Sequence, residues 1–176
     1  MTLAAPPLRD PGHRHEAASA GSSACGVCGS DSLADALAVS SGARWDGPLP
    51  TPEVVRGLPD AMRATQQVFD RTGGAHAAAL ATADGEVVVV REDVGRHNAV
   101  DKVTGARMLA GLTSAEACLV VSGRAGFELV QKAVAAGIGS LVAVGAPTSL
   151  SVRLATEHGL ALYAFTRPGR VVSYSR

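Results

Sequence analysis

Short apolar runs alternate with stretches of helical spacing over residues 75–176, and this alternation limits the possible folds more than any other feature of the chain. The strand-type runs lie at 75–82, 86–91, 117–121, 141–145, 160–166 and 170–175. Helical spacing between them predicts helices over about 96–110, 126–136 and 149–158. Strand–helix–strand units form parallel pairs with right-handed crossovers, and the turns ADGE and RPGR add antiparallel strands. The pattern predicts a three-layer α/β sandwich with a mixed sheet.

The segments before this alternation suggest a division into three parts. Residues 1–24 are rich in Pro, Ala, Ser, Gly and His, which predicts a disordered lead. Residues 25–50 are expected to form a mobile loop with a CxxC motif and a short helix over 31–38. The sandwich domain is predicted at 51–176, where Thr51-Pro52 starts a helix. Pro59 is expected to divide that stretch into a short turn and a longer helix of about 59–71.

Charge and cysteine content exclude several functional classes. Lys+Arg and Asp+Glu both number 16, which argues against a broad basic surface for nucleic acid or an anionic membrane. No apolar run approaches the ~20 residues of a membrane span, and the N-terminus does not resemble a secretory signal. Three cysteines do not suit a secreted disulfide framework and favour a reducing cytoplasm.

Two strand-to-helix junctions are candidate ligand sites. Ser122-Gly123-Arg124-Ala125-Gly126 and Gly145-Ala146-Pro147-Thr148-Ser149 each follow an apolar strand and precede a helix. Helix N-termini offer free N–H groups, and ligands of open α/β sheets favour the carboxyl edge of the strands. Together the junctions predict an anion pocket to which Arg124 adds a fixed charge. The alternative for each junction is ordinary loop and cap chemistry.

A third candidate is the polar stretch REDVGRHNAVDK at 91–102. Asp93 and Asn98 are both candidate caps of the helix that follows. The residues that could line a polar ligand site are Arg96, His97, Asn98, Asp101 and Lys102. The alternative is a solvated helix face. His76, at the start of a strand, is either a hydrogen-bonded core residue or a further ligand, and Cys118 is expected to fill the core.

The stretch SSACGVCGSDS carries Cys25 and Cys28. A structural zinc site would need two more ligands, for which His13 and His15 are nearby, but the sequence has no second CxxC. A thioredoxin-like pair would follow a strand, and nothing upstream is strand-like. A loop with glycines after each cysteine suits sulfur relay, in which one thiolate is loaded in one place and delivered in another.

Six segments, in this order and spacing, resemble the FdhD family of formate dehydrogenase accessory sulfurtransferases over residues 22–176. They are SSACGVCG, TGGAHAAAL, REDVGRHNAVDKVTG, VVSGRAGFELVQKA, AVGAPTSLSVRLA and AFTRPGR. The resemblance implies a cytidine-deaminase-like α/β sandwich. It implies that sulfur passes from a cysteine desulfurase to the molybdenum (or tungsten) of a bis-guanylyl cofactor, Mo-bis(molybdopterin guanine dinucleotide), which is then inserted into formate dehydrogenase.

The resemblance also implies roles for particular residues. Cys25 would carry the persulfide, with Cys28 assisting. The family's cofactor-binding segment matches Phe165, Thr166, Arg167, Pro168, Gly169 and Arg170. The two junctions, the 96–102 cluster and His76 are assigned to the same guanine nucleotide ligand, an assignment that rests more on the anion-pocket argument than on the family pattern. A homodimer without a tightly bound metal of its own is expected.

The chain departs from the family pattern at one point. Family members normally have a folded region before the CGxCG loop that supplies strands to the sheet, whereas here 24 low-complexity residues precede it, so those strands are expected to be missing. Deamination is not predicted, because His76-Ala77-Ala78 lacks the glutamate of H-x-E and the CxxC lies upstream of it. Three hypotheses remain: a sulfurtransferase, an inactive cofactor-binding remnant, and a small zinc domain.

Overall fold

In the computed structural model, which describes residues 44–113 and 115–175, six strands form one sheet and four of the five helices pack against it. The strands are β1 (His76–Ala81), β2 (Val87–Asp93), β3 (Cys118–Val121), β4 (Ser140–Ala143), β5 (Ala161–Arg167) and β6 (Arg170–Ser175). The helices are α1 (Pro52–Arg63), α2 (Gln67–Thr72), α3 (Arg96–Leu109), α4 (Phe127–Ala135) and α5 (Ser149–Glu157). The described residues all belong to the compact unit Val39–Arg176.

The sheet is mixed, with strand order β2-β1-β3-β4-β5-β6. The β3–β4 and β4–β5 pairs are parallel, while β1–β2, β1–β3 and β5–β6 are antiparallel. Helices α4 and α5 are the crossovers of the parallel part, in agreement with the predicted strand–helix–strand units. Both predicted hairpins, β1–β2 and β5–β6, are confirmed.

Helix α1 covers one face of the sheet because the strands beneath it present small side chains. Val55, Leu58 and Met62, spaced along one side of the helix, are buried against the alanines of β1. Those alanines, Ala77, Ala79 and Ala81, alternate along the strand and so share this face. Small residues there let the helix approach the sheet closely, and the core continues across it to Cys118, Val120, Val142 and Tyr163.

Helices α3, α4 and α5 pack on the sheet as a second helical layer. Helix α3 contacts β1 and β2, α4 contacts β4, and α5 contacts β5 and β6. Their buried residues include Val103, Leu129 and Leu154, which are fully enclosed. Right-handed crossovers place α4 and α5 on the same side of the sheet. The result is the predicted three-layer α/β sandwich.

The predicted division of the first helix at Pro59 is wrong. Helix α1 runs through Pro59 to Arg63, and the break falls at residues 64–66, before α2. Pro59 lacks the N–H that would bond to Val55, but Leu58, Pro59 and Met62 are all buried against the sheet. Their packing outweighs the missing hydrogen bond, so the tertiary contacts override the local preference of proline.

Residues 44–50 lie where the parallel strands begin, at the end of the sheet opposite their carboxyl ends. The Trp45 N–H donates to the Gly137 carbonyl oxygen at 2.8 Å, and Arg44 Nη1 donates to the His158 carbonyl oxygen at 3.2 Å. No helix among the described residues is long and apolar enough to cross a membrane. The predicted lead over 1–24, Cys25, Cys28 and the helix over 31–38 lie outside the described residues.

Candidate functional site

The two predicted junctions meet at the carboxyl edge of the parallel strands. Gly145 N–H donates to the Gly123 carbonyl oxygen at 2.9 Å, and Ala125 N–H donates to the Ala146 carbonyl oxygen at 3.1 Å. The β5 strand joins them, because Phe165 N–H donates to the Gly145 carbonyl oxygen at 3.2 Å. The expectation that both junctions open at one edge of the sheet is confirmed.

Gly145 is required by how closely these two loops approach each other. A Cβ atom at this position would lie 3.0 Å from the Arg124 Cα atom and 3.0 Å from the Gly123 carbonyl oxygen. Neither atom belongs to a flexible side-chain end, so a larger residue would push the loops apart. The absence of a side chain at Gly145 therefore allows the two junctions to lie in direct backbone contact.

A cleft of about 540 Å³ opens between this edge of the sheet and the α1–α2 segment. Five of the predicted site residues line it: His76, Ser122, Thr166, Arg167 and Pro168. The other lining residues are Pro59, Asp60, Met62, Arg63, Gln66, Phe69, Gly73, Gly74, Ala75, Val94 and Val144. The cleft thus joins segments that are far apart in the sequence.

His76 is fixed at the floor of the cleft by Ser122. Ser122 Oγ accepts a hydrogen bond from the Ala77 N–H at 2.9 Å and lies 3.3 Å from His76 Nδ1. The Ser122 hydroxyl thus ties the His76 ring to the start of β1. Both alternatives stated for His76 are therefore compatible: it is hydrogen-bonded and it also lines the cleft.

Strand β5 contains a strained residue near its end. Phe165 has φ 51°, in the left-handed region that side chains other than glycine rarely adopt. The pairing of β5 with β6 shifts register between Ala164 and Arg167, and the Arg170 guanidinium lies 5.7 Å from the Phe165 ring centroid. The left-handed residue interrupts strand alternation, after which Thr166, Arg167 and Pro168 line the cleft. Such strain of about 1–3 kcal/mol is typical of functional segments.

Most of the polar cluster at the start of α3 makes structural pairs. Asp93 Oδ1 accepts from Gly95 N–H at 2.9 Å and from Asn98 Nδ2 at 3.1 Å, while Lys102 Nζ lies 2.6 Å from Asp93 Oδ2. The Lys102 ion pair, with the Gly95 and Asn98 hydrogen bonds, lowers the Asp93 pKa to about 2. Neither Asp93 nor Asn98 is the N-cap of α3, which is Gly95. Asp101 forms an ion pair with Lys132 of α4, whose Nζ lies 2.7 and 2.8 Å from the two carboxylate oxygens of Asp101.

Arg96 and His97 differ from the rest of that cluster. A Cβ atom on Gly123 would lie 3.5 Å from both Arg96 Cδ and the His76 ring, so Arg96 is next to the junction. Arg96 Nε and His97 Nε2 are buried and have no hydrogen-bond partner among the described residues. Burial, followed by the charge of Arg96, lowers the His97 pKa below its usual range and favours the neutral ring.

The remaining predicted binding residues do not line the cleft. Thr148 is the N-cap of α5: its Oγ1 accepts from Ser151 N–H, and its own N–H donates to Ser151 Oγ. At this junction the cap alternative describes what the Thr148 hydroxyl does. Ser149 is exposed at the first position of α5, and Arg124, Gly169 and Arg170 are also exposed.

Eleven cleft residues were not identified from the sequence, among them Arg63, Gln66 and Phe69. Arg63 is held in place by Asp70 at 2.6 Å and lies 4.7 Å from the centroid of the Phe69 ring. These residues lie in or beside α1 and α2, and their local pattern resembles any amphipathic helix end. Only the packing of α1 over the sheet brings them to the carboxyl edge.

The thiol and metal chemistry of the described residues is limited. Cys118 is fully buried in β3, as predicted, and burial raises the pKa of its thiol to about 12, which keeps it protonated and unreactive. No group of three or more His, Cys, Asp or Glu within residues 44–113 and 115–175 could hold a metal ion. Cys25, Cys28, His13 and His15 lie outside the described residues.

The fold and this edge define an α/β sandwich with a cleft at the carboxyl ends of its parallel strands. A sequence model of the FdhD/NarQ family matches residues 2–176. The chain belongs to the FdhD/NarQ family.

Relatives with curated names agree with this assignment. The chain is 57% identical over 159 residues to the sulfur carrier protein FdhD of Streptomyces coelicolor, covering 87% of this chain and 55% of that protein. It is 45% identical over 158 residues to the protein of the same name in Bordetella petrii, covering 90% and 56% of the two chains. The chain therefore spans little more than half the length of these relatives.

A solved structure shows the same fold. A crystal structure from Desulfotalea psychrophila, named as a formate dehydrogenase accessory protein, superposes with a TM-score of 0.69 at 28% identity. The superposition covers 78% of this chain and 58% of that one. The likeness supports the α/β sandwich.

Proposed function

We propose that this chain is a sulfur carrier that accepts sulfur from a cysteine desulfurase and transfers it to the metal of Mo-bis(molybdopterin guanine dinucleotide) for formate dehydrogenase. The observation that carries the proposal is the family match over residues 2–176, which includes both cysteines of the CxxC motif. The names sulfur carrier and formate dehydrogenase accessory protein, given to its relatives, support the two ends of this route.

The sulfur is proposed to travel on Cys25. The Cys25 thiolate attacks the terminal sulfur of a persulfide on the desulfurase cysteine, and the desulfurase thiolate leaves, so sulfur moves without net oxidation. Cys118 is a poor candidate for this step because its thiol is buried and its pKa is about 12. The transfer would take place in a reducing cytoplasm, where the acceptor thiolate stays available.

We propose that Cys28 releases the sulfur from Cys25. Attack of the Cys28 thiolate on the inner sulfur of the Cys25 persulfide forms a Cys25–Cys28 disulfide and expels hydrosulfide, which carries the two electrons that a sulfido ligand requires. A cellular dithiol then reduces the disulfide and restores both thiols. Two cysteines separated by two residues suit this exchange.

The cofactor is the proposed substrate, and the lining of the cleft suits the nucleotide portion of the cofactor. Arg63 and Arg167 line the cleft and suit phosphate oxygens, since guanidinium groups bind them through paired hydrogen bonds. Thr166 Oγ1 is buried there without a partner among the described residues. The expected homodimer and the contacts with desulfurase and formate dehydrogenase remain predictions.

The test is intact-protein mass spectrometry after incubation with a cysteine desulfurase and cysteine. We expect an adduct of about 32 Da, the mass of one sulfur, on the wild type and on Cys118→Ala, and its loss on Cys25→Ala. No adduct on folded wild-type protein would overturn the proposal and favour the inactive binding remnant. Stoichiometric zinc together with cysteines that resist alkylation would favour the zinc domain instead.

A further inference from the structure

Helix α3 ends in a cluster of exposed apolar side chains, which we call the α3-end patch. Its members are Met108, Leu109 and Leu112, which are 68%, 92% and 52% exposed. A single exposed leucine is ordinary on a protein surface, but a cluster of this kind is typical of a site that contacts another protein. Methionine is also among the residues enriched in protein interfaces.

The α3-end patch is held in a fixed shape by the way the helix ends. Gly111 N–H donates to the Met108 carbonyl oxygen at 3.0 Å, and Leu112 N–H donates to the Arg107 carbonyl oxygen at 3.0 Å. Gly111 has φ 71°, the left-handed conformation that commonly ends a helix, so Leu112 turns back toward the last turn. Arg107 also forms an ion pair with Glu116. A surface that is ordered in advance loses less conformational entropy when a partner binds.

The patch lies at the end of the sheet opposite the cleft. The Glu116 carbonyl oxygen accepts from Gly139 N–H at 2.9 Å, while the Glu116 side chain pairs with the last turn of α3. A Cβ atom on Gly139 would lie 2.7 Å from Trp45 Cδ1 and 2.8 Å from Leu49 Cδ2. The end of α3 is therefore connected to the residues that lie where the parallel strands begin.

A pocket of about 280 Å³ opens at the same end, beyond the last residues of α4 and α5. Its apolar lining comes from Trp45, Leu49, Val134, Ile138 and Leu160. Helices α3 and α4 are joined by the Asp101–Lys132 ion pair, and packed helices have axes about 8–10 Å apart. The patch thus projects beside a pocket, and protein interfaces commonly place their anchoring side chains in such pockets.

We propose that this end of the sheet is the docking surface for the protein that donates sulfur to Cys25, with the α3-end patch and Leu49 as anchors. The inference rests on the proposed function, in which the donor is a cysteine desulfurase. The chain that carries Cys25 and Cys28 joins the described residues at Arg44, whose Nη1 donates to the His158 carbonyl oxygen at this same end. A donor bound here is next to that junction and leaves the cleft at the opposite end open.

The experiment measures the initial rate of sulfur loading, by mass spectrometry, at increasing concentrations of the full chain with a catalytic amount of cysteine desulfurase and excess cysteine. We expect Leu109→Ser and Leu49→Ser each to raise the KM for the chain about tenfold with kcat unchanged, because an anchor is lost while the reacting thiol is intact. Val68→Ser is the matched control and should keep the wild-type KM. Val68 is 47% exposed on α2 and lines neither the pocket nor the cleft.

A small sulfur donor separates docking from the chemistry of Cys25. Glutathione persulfide transfers its terminal sulfur to the Cys25 thiolate and releases the glutathione thiolate, so this transfer needs no protein surface. Leu109→Ser and Leu49→Ser should be loaded from glutathione persulfide at the wild-type rate. Slower loading of the variants from both donors, or an unchanged KM for the desulfurase reaction in both variants, would overturn the proposal.

Sedimentation velocity tests a second copy of this chain as the other occupant of the surface. We expect Leu109→Ser to sediment as the wild type does, whereas conversion of a wild-type dimer to a monomer would assign the patch to self-association and overturn the proposal. If the desulfurase loads the wild type and both variants with one KM, the docking inference fails while the sulfur-carrier function stands. If neither donor loads the wild type, the proposed function fails as well.

Discussion

The carboxylate of Asp93, the last residue of β2, binds groups at the start of α3. One oxygen accepts from the Gly95 N–H and from Asn98, and the other lies 2.6 Å from Lys102 Nζ. Lys102 Nζ also donates to the Glu92 carbonyl oxygen at 3.1 Å. These contacts favour the ionised carboxylate, so the Asp93 pKa falls to about 2. Asn98 and Lys102, which the sequence suggested as ligand-binding residues, therefore stabilise the turn between β2 and α3.

Replacing Asp93 should change how stability depends on pH. The folded pKa of about 2 lies below the ordinary value of 3.8, so the ionised form stabilises the fold fully above pH 3.8. That stabilisation is lost as the pH falls toward 2, where the folded form is also protonated. We expect Asp93→Asn to be less stable than wild type at pH 7, with a difference that shrinks between about pH 4 and 2.

Urea denaturation at a series of pH values measures this difference. The control is Asp84→Asn, an exposed carboxylate in the β1–β2 turn, which should follow the wild-type profile. A gap between Asp93→Asn and wild type that stays constant down to pH 2 would show that the contacts of Asp93 do not depend on its charge.

At the scale of elements, α2 depends on a residue from another element. None of its six residues is buried, and its N-cap residue Gln66 makes no side-chain cap. Instead, Glu92 of β2 accepts from the Val68 N–H at 2.7 Å and the Phe69 N–H at 2.8 Å, one through each carboxylate oxygen. A carboxylate at a helix start satisfies free donors and matches the helix dipole. Because Phe69 lines the cleft, this contact positions part of the site.

We expect Glu92→Gln to loosen α2, because an amide offers one acceptor oxygen where the carboxylate offers two. The loss should be about 0.5–2 kcal/mol, the usual range for a helix cap. Hydrogen exchange at the Val68 and Phe69 amides should be faster than in the control Glu86→Gln, whose side chain is exposed. Unchanged exchange at both amides would contradict this account of α2.

At the scale of the whole molecule, the cleft and the tryptophan segment lie at opposite ends of the parallel strands. Trp45, the single tryptophan of the sequence, packs beside Gly139 just before β4, whereas Ser122 and Val144 lie just after β3 and β4. A Cβ atom on Gly139 would lie 2.7 Å from Trp45 Cδ1 and 3.2 Å from the Ala117 carbonyl oxygen. This end of the sheet is therefore sensitive to a single added methyl group.

Gly139→Ala should displace Trp45 and destabilise the fold by about 1–3 kcal/mol, as overpacking usually does. Tryptophan fluorescence should shift to longer wavelength and the urea midpoint should fall. Gly57→Ala, on a surface of α1 where an added Cβ meets nothing within 4 Å, should not lower stability. A urea midpoint of Gly139→Ala equal to that of the wild type would contradict this account of the packing.

The fold was largely predictable because its elements are defined by local patterns. Six apolar strand runs and the turns ADGE and RPGR are short-range signals, and each corresponds to an observed strand or hairpin. The site was less predictable, since Asp101 and Thr148 carry the same side chains whether they bind a ligand, a lysine or a helix end. Only contacts distant in sequence, such as Asp101 with Lys132, distinguish these uses.

The sequence by itself determined the class of fold, the family and the two cysteines of the proposed relay, because periodicity and short motifs are written in neighbouring residues. The tertiary structure alone decided that α1 continues through Pro59 and that a cleft forms beneath the α1–α2 segment. Each of these depends on burial, which is set by what packs against a residue from elsewhere in the chain. Gln66 and Thr166, a hundred positions apart, share one cavity for that reason.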